Sequence, residues 1–92
     1  MNYYNEIKTE LLNNEINRKI KNYSINKNDL NTYYNVGKIL SAAGKHYGEG
    51  IIKEYSKKLS KELNKTYSYR SLNYMIKFYE YQKMQSATAN LS

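Results

Sequence analysis

Three observations predict an all-α protein, a small bundle of about four helices whose C-terminal pair is helix-turn-helix-like. The 92 residues contain no proline. No stretch alternates polar and apolar residues as a half-buried strand would, and apolar residues recur at three- and four-residue intervals between breaks of Gly, Asn and Ser. A chain of this length makes one domain with one modest core. Residues 1–85 are predicted to form that domain, with 49–83 as its helix-turn-helix-like part. Residues 86–92, "SATANLS", are expected to be a flexible tail with too little apolar surface to hold it.

The first helix is expected from about Asn2 to Asn22, on an apolar stripe of Tyr3, Ile7, Leu11, Ile16 and Ile20. Its many amides make it a mediocre helix alone, so it should gain stability by packing on the rest of the chain or on a second copy. For a second helix, "SINKND" offers Ser24, Asn26 or Asn28 as N-caps, and Leu30, Tyr33, Tyr34, Gly37, Leu40 and Ser41 repeat at helical spacing. That helix should stop near "AAGKHYGEG", with Gly44 suited to a left-handed C-cap and Gly48 and Gly50 loosening the connection. Gly37, within the helix, lets a neighbour approach closely. A third helix, about Glu49 to Asn64, turns Ile52, Tyr55, Leu59 and Leu63 inward. After "NKTYS" the fourth helix begins with Ser68 as N-cap, and "SYRSLNYMIKFYEYQ" carries two stripes. Leu72, Met75, Ile76 and Tyr79 form the inward one, while Arg70, Asn73, Tyr74, Lys77 and Tyr81 lie opposite.

The second stripe is where function is expected. The chain carries 15 Lys and Arg against 8 Asp and Glu, a net charge of +7 that favours polyanionic partners. From Lys53 to Lys77 there are seven basic residues and two acidic ones, a net +5 that falls on the third and fourth helices. A helix-turn-helix offers the N-terminal side chains of its second helix to the major groove. Arg70 and Asn73 stand at that end, and these residue types can give guanine and adenine two hydrogen bonds each. Lys53, Lys57, Lys58, Lys61, Lys65, Lys77 and Tyr69 suit phosphate contacts, and Tyr74 suits wedging or stacking. Asn, Lys, Ile and Tyr all have AT-rich codons, so the positions of the 12 tyrosines bear on function and their abundance does not.

Other chemistries find no footing in the residues. There is no cysteine, hence neither a disulfide framework nor a thiolate metal site. His46, the single histidine, has no paired carboxylate and reads as a loop residue. Glu6-Ile7-Lys8 matches the ending of a nuclease signature, but that chemistry needs a further acid placed on a sheet. Gly48-Glu49-Gly50 lacks the strand and the Lys-Ser/Thr of a phosphate-binding loop. No catalytic residue, metal or cofactor is therefore expected, and no small-molecule substrate. The N-terminus has neither a signal-peptide core nor a membrane span, which points to a soluble cytoplasmic protein with no membrane partner.

"YYNVGKIL", "YGEGIIKEYSKKLSKEL" and "YSYRSLNYMIKFYEY", in that order over Tyr33 to Tyr81, resemble the N-terminal domain of YhcG-like proteins, domain of unknown function 1016. Members show a Tyr-aromatic-x-Ile-Gly segment, a Tyr-Gly before a Leu-Ser-x-x-Leu helix, and a Ser-x-Arg-Asn-Leu-x-x-Met-x-x-Phe-Tyr helix. Ser68, Arg70, Leu72, Met75, Phe78 and Tyr79 match the last motif, while Ser71 replaces the family's Asn and Val36 the usual Ile before glycine. The resemblance implies a helical module for DNA binding or assembly, joined in most members to a C-terminal nuclease domain of the PD-(D/E)xK superfamily. That second domain is absent from these residues, so the chain is expected to be a fragment or a short stand-alone version.

The function expected from all of this is a non-catalytic DNA-binding module acting as a homodimer, with Tyr3, Ile7, Leu11 and Ile16 of the first helix forming the dimer seam. The alternative is a protein–protein interaction module, including a small inhibitor of a nucleic-acid-processing complex, since tyrosine is favoured at interface hot spots.

Overall fold

A computed structural model of the chain describes residues 2–21 and 27–91, and the side-chain surroundings of 2–16 and 29–85. Helices α1 (Tyr3–Lys21), α2 (Lys27–Tyr47), α3 (Gly50–Glu62) and α4 (Tyr69–Leu91) follow one another, with no strand among the described residues. The all-α expectation holds. The cap candidates Ser24 and Asn26 lie outside the described residues, as does the side chain of Ile20, while Asn28 sits inside α2 rather than before it.

α1 and α2 form an antiparallel hairpin. The Asn14 amide donates to the Asp29 carboxylate at 2.9 Å, Asn35 to Glu10 at 3.4 Å, and the Tyr3 ring lies 6.0 Å from that of Tyr47, so pairs move apart in sequence as they move along the helices. Ile7 and Leu11 of α1 are buried with Val36, Leu40 and Ala43 of α2. Asp29, buried in the first turn of α2, also places its charge where the helix dipole favours an anion.

α2 is the central element, because α4 crosses it at Gly37. A β-carbon there would come 2.1 Å from the Met75 carbonyl oxygen and 2.9 Å from Tyr79 Cβ, so hydrogen is the only side chain that fits between the two backbones. This realises the close approach that the sequence suggests. The inward stripe of α4 then closes the core with Leu72 and Met75 buried and Ile76 packed against them. Tyr34 meets Tyr79 edge-on at 5.1 Å beside the crossing.

The helix ends follow from local chemistry. α2 runs through Gly44 and stops at Tyr47, and it is Gly48, at φ +94°, that takes the left-handed position. The expected cap at Gly44 is displaced by one turn because the Gly44 carbonyl still accepts a hydrogen bond, from the Gly48 N–H at 2.8 Å. α3 presents Ile52, Tyr55 and Leu59 to the core and ends at Glu62, with Leu63 as C-cap and Asn64 at φ 52°, a conformation asparagine tolerates better than most residues. Ser68 caps α4 as expected, its Oγ accepting the Ser71 N–H at 3.1 Å. The connection from α3 to α4, residues 63–68, is six residues long, against the three or four of a tight helix-turn-helix. α4 continues to Leu91, so residues 86–91, expected as a tail, extend the helix.

Candidate nucleic-acid interface

The side of α4 away from the core carries Arg70, Tyr74, Lys77 and Tyr81, all exposed, because seven-residue steps on a helix return to the same face. Tyr74 is 69% and Tyr81 59% exposed, values far from a core role. Asn73 is half-buried at the edge of this face. Tyr69, Arg70, Asn73, Tyr74 and Lys77 together line one open hollow of about 320 Å³. Lys53 of α3 reaches over the ring of Tyr69, 5.4 Å from its centroid, which ties the start of the α3 lysine row to the start of α4. Lys57 and Lys61 follow Lys53 at intervals of four and are exposed, so they continue one basic row along α3.

Lys58 and Lys65 lie elsewhere. Residue 58 is turned about 140° around α3 from residue 53, given 100° per residue, and so faces α1. Its ammonium lies 4.5 Å from the centroid of Tyr4. Tyr4 donates its hydroxyl to Glu62, and Lys8 pairs with the same carboxylate at 3.4 Å. Burial, then the Glu62 hydrogen bond and charge, push the Tyr4 phenol well above its ordinary value. The Tyr4 hydrogen bond, helped by Lys8 and Lys58, holds the Glu62 carboxyl below its own. Lys65 likewise pairs with Glu15 of α1 at 3.4 Å and lies 5.7 Å from the ring of Tyr67, whose hydroxyl donates to the same Glu15 at 2.9 Å. Two tyrosine–glutamate–lysine groups thus fasten α1 to α3 and to the α3–α4 connection.

Tyr67 holds that connection in place. It is buried, its N–H donates to Ser60 Oγ at 2.9 Å, and its carbonyl accepts from Ser56 Oγ at 2.6 Å. Sequence reasoning passed over Tyr67 as part of a turn. The available signal was Ser56 and Ser60, one helical turn apart on the side of α3 that leads into the connection.

The four α1 positions expected to join two copies are divided by the fold. Ile7 and Leu11 are inside the chain's own core, and Tyr3 packs beside His46 and Tyr47, with ring centroids 6.2 and 6.0 Å away. Ile16, of the four, is 46% exposed. The chain's own α2 therefore fills the place assigned to a second copy. His46, read as a loop residue, sits in the last turn of α2 within this aromatic group.

Among the described residues no three His, Cys, Asp or Glu side chains gather so as to hold a metal ion, and no helix is long and apolar enough to cross a membrane. No curated protein and no solved structure matches the chain. The family model of the DUF1016 N-terminal domain matches residues 6–92, which takes in most of α1 and all of α2, α3 and α4 and extends well beyond the motifs at 33–81. The chain therefore belongs to the DUF1016 N-terminal domain family, the YhcG-like family that its tyrosine, glycine and arginine motifs resemble.

Proposed function

We propose that this chain is a non-catalytic DNA-binding module that docks through the outer face of α4 and the adjoining lysine row of α3. The observation that carries the reading is the grouping of Arg70, Asn73, Lys77, Tyr69 and Tyr74 around one open hollow, with Lys53 stacked over Tyr69. Cations set in a row attract and track a phosphate backbone, and the affinity they supply is lost as salt replaces them. Arg70 supplies the planar donors that recognise base edges in a groove and Asn73 an amide at the edge of the hollow, whereas Lys53, Lys57, Lys61 and Lys77 supply charge without sequence preference. Lys58 and Lys65, engaged with Tyr4, Glu15 and Tyr67, have a structural part in this reading and no share in docking.

The test is binding of a fluorescent oligonucleotide at low ionic strength by the wild type and by Arg70→Ala combined with Lys77→Ala. The double variant should bind at least about tenfold more weakly, consistent with one lost base-directed and one lost phosphate contact, with unchanged helix content. Equal binding by the two proteins would remove the basis for the proposal.

The exposure of Tyr74 and Tyr81 favours a second reading, a protein-docking or self-association face, since large amphipathic rings anchor interfaces. In that reading self-association falls to α4, because Ile7 and Leu11 are already covered. Sedimentation of Tyr74→Ala combined with Tyr81→Ala separates the two. Loss of self-association with retained DNA binding assigns these tyrosines to protein contact, and loss of DNA binding assigns them to the nucleic acid.

A further inference from the structure

Beside the hollow on α4 lies a second and larger one, about 420 Å³, where α2, α3 and α4 meet. Its volume falls in the range of about 300–1,000 Å³ found for clefts that hold small ligands. Ile76, partly exposed, gives it an apolar floor, with the buried Leu40 and Ile52 behind it. Tyr69 and Asn73 line both this cleft and the hollow on α4, and Lys45 and Lys77 line it together with Glu49 and Glu80. The cleft thus offers an apolar bed, an aromatic ring, an amide with one donor and one acceptor side, and cations next to it.

Asn73 is half-buried where two hollows join, whereas Arg70, Tyr74 and Lys77 are exposed. A recessed amide does not reach base edges in the groove of an intact duplex; a base must come to it, which requires that base to leave its stack. We infer that this cleft takes a single unstacked nucleobase. The base lies on Ile76 against the ring of Tyr69, its edge hydrogen-bonds to the Asn73 amide, and the flanking phosphates meet Lys45 and Lys77. Glu49 and Glu80 repel phosphate from the cleft itself and accept hydrogen bonds from exocyclic amino groups, so the base enters and the backbone stays on the rim. Single-stranded nucleic acid is then the preferred ligand, since stacking on aromatic rings is open to every base that is already unpaired. This inference rests on the nucleic-acid reading above and deepens it.

The experiment compares a single-stranded DNA of about 12 nucleotides, within the site sizes of small single-strand binders, with the duplex of the same sequence, both carrying 2-aminopurine. The wild type should bind the single strand more tightly and quench its 2-aminopurine fluorescence. Tyr69→Ala should weaken single-strand binding by about tenfold to a hundredfold, the range for loss of one stacking ring. Ser41 of α2 also lines the cleft. Ser41→Phe, which fills the cleft and removes no cation, should abolish the quenching and the preference while leaving salt-dependent binding; circular dichroism of both variants checks that they fold. If the wild type binds duplex as tightly as single strand with no change in fluorescence, or if Ser41→Phe folds and still quenches, the inference falls and the DNA-binding reading stands. If neither oligonucleotide binds at low ionic strength, the DNA-binding reading itself fails and takes the inference with it.

Discussion

Lys53 and Lys58 both stand on α3, each over a tyrosine ring, and the two rings lie toward different sides of that helix. Tyr69, under Lys53, lines the open hollow on α4. Tyr4, under Lys58, is buried and bound to Glu62, which Lys8 also holds. The same division separates Lys57 and Lys61 from Lys65, which pairs with Glu15. All five lysines are exposed, but Lys58 and Lys65 meet side chains of α1 whereas Lys53, Lys57 and Lys61 lie toward the open face of α4. A net charge counted along the chain does not distinguish them, because Tyr4 and Glu15, the partners on α1, lie more than forty residues away. The comparison teaches that a basic stretch has to be divided by packing before any of it is assigned to a partner.

The strongest way to break the comparison is to remove the support that both sides share. Gly37→Ala places a β-carbon against the Met75 carbonyl, a backbone atom that yields only if α4 moves away from α2. It should cost about 3 kcal/mol or more, at the upper end of overpacking effects, read as a lower denaturation midpoint in urea. An unchanged midpoint would show that α4 does not cross α2 as described.

The inner side can then be probed alone. Tyr67→Phe keeps the buried ring and removes the hydroxyl that Glu15 accepts, so it should lower stability by about 1 kcal/mol and leave oligonucleotide affinity unchanged. Tyr81→Phe removes a hydroxyl from an exposed ring and should change stability by less than about 0.5 kcal/mol. Equal losses would erase the distinction between the two sides.

Acid and base act on the inner side from opposite directions. Glu62 has its carboxyl held below the ordinary 4.5, so its contribution is present above that pH and is lost as pH falls through the lower folded value. Tyr4 has its phenol raised above 10.0, so its contribution is present below that pH and is lost as pH rises toward the higher folded value. The α1–α3 fastening should therefore be strongest between about 4.5 and 10.0. Tyr4→Phe should flatten both limbs of a midpoint-against-pH curve, leaving the part of the alkaline limb that belongs to Tyr55, another phenol raised by burial. A curve unaltered by Tyr4→Phe would show that the Tyr4–Glu62 contact does not form in solution.

Much of the fold was legible in the sequence because it depends on local signals. The inward stripes of α3 and α4, the Ser68 cap and the close approach at Gly37 all follow from spacing and from the chemistry of single residues. The family motifs were legible for the same reason. What was not legible depends on distant pairs. Tyr4 meets Glu62 across 58 positions and Tyr67 meets Glu15 across 52, and no periodicity within one helix reveals such partners. Spacing alone therefore does not separate Lys58 and Lys65 from Lys57 and Lys61. The same dependence explains the first helix: an apolar stripe shows that Ile7 and Leu11 are to be covered, and the fold decides that α2 covers them.

The division of the lysines is tested most directly by the salt dependence of oligonucleotide binding in two double variants, Lys57→Ala with Lys61→Ala and Lys58→Ala with Lys65→Ala. The slope of log affinity against log salt counts phosphate contacts, at about 0.9 per contact on duplex and about 0.7 on single strands. The outer pair should reduce the slope by nearly two contacts without moving the denaturation midpoint. The inner pair should leave the slope unchanged and lower stability by up to about 1 kcal/mol per lysine, the range for ion pairs near the surface. Equal reductions in slope from the two pairs would contradict the account, because they would show that Lys58 and Lys65 contact phosphate as Lys57 and Lys61 do.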